Sequence, residues 1–118
     1  MSDYFNFIIL VFLIDLLWIT QPFHKPQYEE IQKTPFKVDT TGALLFYAFA
    51  PLAYIKFIKP LSNNKKDAFK NGALLGFLMY MTYDFTNKAV FTEYQWDYAI
   101  KDALWGSFVF GLVSYLIY

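Results

Sequence analysis

Four apolar stretches, separated by charged and proline-bearing joints, organise this sequence. They run over about 5–20, 42–58, 68–87 and 98–118. Each is close to the ~20 residues that a helix needs to cross a bilayer. The first two are short, which implies little tilt or a locally thinned membrane. Apolar residues lie all around each expected helix rather than along one stripe, which argues against a water-soluble amphipathic bundle. The expected fold class is all-α, a four-transmembrane-helix bundle forming a single integral membrane domain over residues 1–118. The first stretch lacks a basic leader and a small-residue cleavage site and carries Asp15, so it reads as a permanent helix rather than a signal peptide.

The joints fix the topology. Residues 21–41 hold Pro22, Pro26 and Pro35 with most of the local charge, and read as one long loop. Residues 60–66 form a tight basic turn, and 88–97 the third connection. Pro51 falls inside the second stretch and should free the carbonyl of Tyr47 and kink the helix. Four crossings place both termini and the basic turn on one face, side A, and the other two connections on side B. Five Lys between residues 56 and 70 mark side A as cytoplasmic by the positive-inside rule.

Composition narrows the class. Hydrophobic residues make up 57% and aromatics 23% of 118 residues. A soluble chain of this size buries only about two-thirds of its surface and would leave much of that apolar area in water. The lipid bilayer is therefore the first expected partner. Ten Lys balance ten acids and there is no Arg, so the basic surplus of a nucleic-acid binder is missing. No Cys is present, which removes thiolate chemistry and Cys-built metal sites. His24 beside Glu29 and Glu30 is too weak a grouping for a metal site. No nucleophile motif, phosphate loop or dinucleotide fingerprint occurs, and no cofactor is identified.

Three acids stand inside expected spans, where a charge costs about 2.5–3.5 kcal/mol even on lenient scales. Asp15, Asp84 and Asp102 belong to three different helices. Counting at 1.5 Å per residue puts all three roughly 5–8 Å inside the side-B boundary. Asn87 and Lys88 follow Asp84 at three and four residues, on its helix face, and Lys88 is placed to pair with it. Trp18 and Trp105 stand three residues after Asp15 and Asp102, so each acid has an indole on its own face. Tyr47 falls near the same depth; Tyr83 and Thr86 flank Asp84 in sequence. Lys101 adjoins Asp102 but points about 100° away and should snorkel to side B. Gly72 with Gly76, and Ser107 with Gly111, permit close backbone approach on side A. The expected bundle is closed on side A and open toward side B. There a polar vestibule, lidded by the loop around Phe23, His24 and Tyr28, would be lined by the acids.

The same acids also fit a structural role, as near-interface carboxylates hydrogen-bonded to Trp, Tyr and Asn that lock the helices. Trp18 and Trp96 fit an aromatic belt at the interface. Intramembrane acids mark functional sites by default, and that reading leads.

The segments Leu13-Ile-Asp15-Leu-Leu-Trp18, Tyr80-Met-Thr-Tyr83-Asp84-Phe-Thr86-Asn87-Lys88-Ala89 and Asp102-Ala-Leu-Trp105-Gly106 resemble the signatures of small, uncharacterised four-helix membrane proteins filed as domain of unknown function 2177. The resemblance spans nearly the whole chain in the same order and spacing, and the Tyr-Asp-x-Thr-Asn piece is its most specific part. It implies a four-helix membrane fold and motif positions at these Asp, Trp, Asn and Thr residues. It implies no activity.

The leading functional reading is a membrane transporter, channel or binding protein. Its cluster of Asp15, Asp84 and Asp102 receives a cation, proton or small polar ligand, helped by Asn87, Trp18, Trp105, Tyr47, Tyr83, Thr86 and Lys88. Three carboxylates at one level cannot all be ionised cheaply, and a held proton or cation relieves that repulsion. A through-path with four helices calls for a homo-oligomer. A structural or assembly protein and a membrane-embedded lipid-modifying enzyme with an Asp general base are the alternatives; no catalytic residue is singled out.

Overall fold

In the computed structural model, which describes residues 2–118, five helices follow one another and no strand occurs among the described residues. Helix α1 spans Asp3–Ile19, and the Ser2 side chain caps it by accepting from the Phe5 amide. Helix α2, His24–Gln32, ends at Lys33 in the left-handed conformation. Helix α3 spans Thr40–Leu61; the Asp39 carboxylate caps its start, accepting from the amides of Thr41 and Gly42 at 2.9 and 3.3 Å. Helix α4 spans Lys65–Val90 and begins at Asn64, whose side chain accepts from the Asp67 amide while Asp67 accepts from Asn63. This reciprocal cap satisfies donors that the first turn otherwise leaves open. Helix α5 spans Trp96–Ile117.

The residues expected to form one long loop hold helix α2. Pro26 lies in its first turn, where a missing N–H breaks no helical bond. The chain turns by 77° between α1 and α2. Helix α3 shows the expected proline effect in a different form. Its α-helical ladder breaks at Ala50, before Pro51, resumes over Pro51–Ala53, and continues as a wide π turn over Tyr54–Ile58 and a tight 3₁₀ turn at Lys59–Leu61. Near the break, the Ala48 carbonyl accepts from the Tyr4 hydroxyl at 2.6 Å.

Helices α3 and α5 are each long and apolar enough to cross a membrane, and the bent α1–α2 pair meets that measure jointly, giving two to three candidate spans. Four crossings are thus met only in part by length and composition. Helix α1 alone is 17 residues long, and the polar residues of α4 dilute its apolar content. Leu, Phe and Ile side chains such as Leu17, Leu44, Phe49, Phe57 and Leu74 stand exposed around the outer surface, an arrangement that suits lipid rather than water.

Helices α4 and α5 form the tightest pair, and glycine is the reason. A Cβ added at Gly72 would stand 2.5 Å from the Phe110 carbonyl and 2.6 Å from Ser114 Oγ. One added at Gly76 would run into the Gly106 carbonyl, and one at Gly106 into the Tyr80 ring. On α5 the closest approach is thus at Gly106 and Phe110, one residue displaced from the expected Ser107. Phe7, Val11, Tyr54, Ile58, Val109, Phe110 and Val113 fill the core beside this seam. The side-A end is tied further by Lys59 to Asp3, Lys65 to the Tyr115 carbonyl and the Tyr118 hydroxyl to the Ser62 carbonyl.

Gly76→Ala should therefore lower thermal stability in detergent, by about 1–3 kcal/mol as for other overpacked sites. Gly42→Ala, where an added Cβ meets nothing within 4 Å, should leave the melting curve in place. Circular dichroism melts of the two variants check both.

Candidate functional site

The site grows from a repeated tetrapeptide. Asp15-Leu-Leu-Trp18 lies on α1 and Asp102-Ala-Leu-Trp105 on α5. Their i, i+3 spacing sets acid and indole on one side of each helix. The structure uses this pairing crosswise. Trp105 Nε1 donates to Asp15 Oδ1 at 3.0 Å, and Trp18 Nε1 donates to Asp102 Oδ1 at 3.1 Å. Each indole therefore serves the acid of the other helix, not its own. The two indoles stack, with centroids 4.9 Å apart and planes 8° from parallel.

Helix α3 joins through Tyr47, whose hydroxyl donates to Asp15 Oδ2 at 2.8 Å. Both oxygens of Asp15, 6% exposed, are thus satisfied by donors from two other helices. Helix α4 contributes Asp84, which is fully buried. Its Oδ1 accepts from the Tyr94 hydroxyl at 2.5 Å, while Oδ2 has no donor among the described residues. Tyr94 sits in the short α4–α5 connection, outside the helices, and burial followed by its bond to Asp84 raises its hydroxyl well above the usual phenol range. It is a proton donor here. The Asp84 carboxyl neighbours that of Asp102, and Asp102, 8% exposed, accepts only on Oδ1 among the described residues. Asp15, Asp84 and Asp102 thus gather around a common centre, with Tyr80 within electrostatic range of all three.

A cleft of about 340 Å³ reaches this centre, lined by Phe46 of α3, Met79, Tyr80 and Tyr83 of α4, and Asp102. Its walls are mostly apolar, and Asp102 is the acid among its lining residues. It opens where the N-terminal half of α3 parts from α4; the two helices meet closely only toward Leu61.

Phe23, His24 and Tyr28, the expected lid residues, pack against Trp18 and Tyr98. His24 Nε2 lies 2.7 Å from the Trp18 carbonyl, which can only accept, so that nitrogen carries the proton. Nδ1 stands 2.7 Å from the Tyr98 hydroxyl. Tyr28 and Tyr83 exchange a hydroxyl bond at 3.1 Å.

Three expected members stand elsewhere. Lys88 makes no ion pair with Asp84; its ammonium lies 5.8 Å from the Trp96 ring centre, because the tyrosine of the following loop occupies the acid's accessible side. Thr86 is exposed, and Asn87 is half-buried with no side-chain hydrogen bond among the described residues. Tyr80 and Tyr94 are the additions. Tyr80 lies four residues before Asp84, one helical turn away on the same face, and that spacing was the available signal. Nothing local pointed to Tyr94, since its role depends on the loop folding back.

The family model described as "Predicted membrane protein (DUF2177)" matches residues 1–118. No curated protein and no solved structure matches the chain.

Trp105→Phe keeps the stacked ring and removes one donor to Asp15. It should destabilise the protein by about 1–3 kcal/mol, the cost of a buried group left short of a partner. Trp18→Phe should cost a similar amount, and the double variant should cost less than the sum, because the two bonds hold one helix pair in register. Thermal melts of the four forms in detergent measure that coupling.

Proposed function

Since this chain belongs to the DUF2177 family of predicted membrane proteins, we propose that it is a multi-pass membrane carrier or binding protein. It receives a cation or a proton-donating ligand at the Asp84–Asp102 pair, through the cleft between α3 and α4. In this reading α1, α3, α4 and α5 each cross the bilayer within one domain. The basic stretch of residues 56–70, and with it both termini, faces the cytoplasm. One observation carries the proposal: Asp84 is fully buried with an oxygen that no donor reaches among the described residues, beside a second carboxyl that floors an open cleft. Two neighbouring carboxyls in a low-dielectric interior repel when both are charged, and a bound cation or shared proton removes that repulsion. The apolar walls favour a ligand that carries its proton donor or positive charge on a largely apolar body. With four helices, transport through the membrane requires a second copy to complete the path, and a two-fold dimer is the commonest arrangement.

The structural alternative applies to one of the acids. Asp15 has both oxygens satisfied by Trp105 and Tyr47, so its role is to lock α1, α3 and α5 together.

In liposomes loaded with a pH-sensitive dye, the full chain should carry protons or a lipophilic amine down a gradient. Asp84→Asn and Asp102→Asn should reduce that flux by about tenfold or more while the melting curve stays intact, as expected for loss of a charge-assisted contact. Asp15→Asn should lower the melting temperature instead. Undiminished flux in Asp84→Asn would remove the basis of the proposal.

A further inference from the structure

A second cavity lies outside the aspartate cluster, where α2 leans on the start of α5. It measures about 410 Å³ and is lined by residues of both elements. Phe23 and Tyr98 supply aromatic surface. Glu30 and Asp97 supply carboxylates, and Lys101 and Gln27 supply donors. Gln27 is only 6% exposed, and its Nε2 has no acceptor among the described residues. A buried amide donor without a partner costs about 1–3 kcal/mol, so a group that accepts from it would repay its burial. Lys101 is not fully committed either. It stands 3.8 Å from Asp97 in a mostly exposed contact and 5.1 Å from the Phe23 ring centre.

Donors and acceptors of both charges on one wall call for a ligand of both charges. An anionic group fits between Lys101 and the Gln27 amide. The Glu30 and Asp97 carboxylates are held only by exposed contacts to Lys33 at 3.6 Å and Lys101 at 3.8 Å, weak pairs that an ammonium group can replace. The position adds to this. The cavity is lined by residues just after the end of α1 and at the start of α5, and the ends of membrane-crossing helices are where a chain meets lipid headgroups.

We propose that the α2–α5 cavity is a binding site for a zwitterionic phosphate–ammonium group, a phosphoethanolamine, built by Gln27, Glu30, Asp97 and Lys101. The shared chemistry has two sources, the headgroup of a membrane lipid and the free soluble compound, and the lipid is favoured by position.

The test uses the purified full chain in detergent, with lipid retention read by native mass spectrometry. Phosphatidylethanolamine should remain bound in preference to phosphatidylglycerol. Lys101→Gln and Glu30→Gln alter exposed side chains that leave the core untouched, and each should cut that retention by about tenfold, the scale for a lost charge-assisted bond. Free phosphoethanolamine that displaces the lipid supports the headgroup as the recognised part. Free phosphoethanolamine that binds as tightly as the lipid also supports the site and makes the soluble compound its ligand. Equal retention of both lipids, or retention unchanged in both variants, overturns the proposal. Asp84→Asn leaves this cavity intact, so failure here is separable from failure of the flux experiment.

Discussion

A carboxylate taken into an apolar helix bundle must find hydrogen-bond donors, and here every donor comes from a different element. Trp105 of α5 and Tyr47 of α3 serve Asp15 of α1; Trp18 of α1 serves Asp102 of α5; Tyr94 of the last connection serves Asp84 of α4. The crossed bonds of α1 and α5 fix rotation as well as contact. A shift of one residue turns a helix by about 100° and carries the indole away from its acid. The stacked indoles hold the two bonds at one height. The remaining helices take their places around that pair.

The distribution of small and polar residues then explains the shape. Glycines 72, 76 and 106 bring α4 and α5 backbones together, and ion pairs and terminal tyrosines tie the side-A end. Toward the other end bulky aromatics replace glycine, α3 departs from α4, and a cleft remains with Asp102 at its floor. Satisfied and unsatisfied oxygens divide along the same line. Asp15 has a donor on each oxygen; among the described residues Asp84 and Asp102, the latter lining the cleft, each have a donor on one oxygen only.

Much of this was legible in the residues. The apolar stretches marked α1, α3, α4 and α5, and the resemblance carried by the Asp-x-x-Trp and Tyr-Asp-x-Thr-Asn pieces led to the family that the chain belongs to. The depth argument brought three acids to one neighbourhood. Partner choice was not legible. Spacing of three residues placed Trp18 with Asp15 and Trp105 with Asp102, whereas antiparallel packing exchanges them, and that exchange is a property of two helices rather than of one. Lys88 looked like the partner of Asp84 because i, i+4 pairs meet on an isolated helix; a tyrosine returning from the connection took the place. Helix α2 was masked by Pro22, Pro26 and charge, although Pro26 sits where a helix tolerates it.

The crossed Trp–Asp bonds join residues 84 and 90 positions apart in the chain. During synthesis α1 is made before α5, so Asp15 and Trp18 wait through the synthesis of everything between them. A nascent chain halted before α5 holds Asp15 with Tyr47 but without Trp105, and Trp18 without its acceptor. Arrival of α5, rather than of any helix before it, is the event that supplies both missing partners of α1.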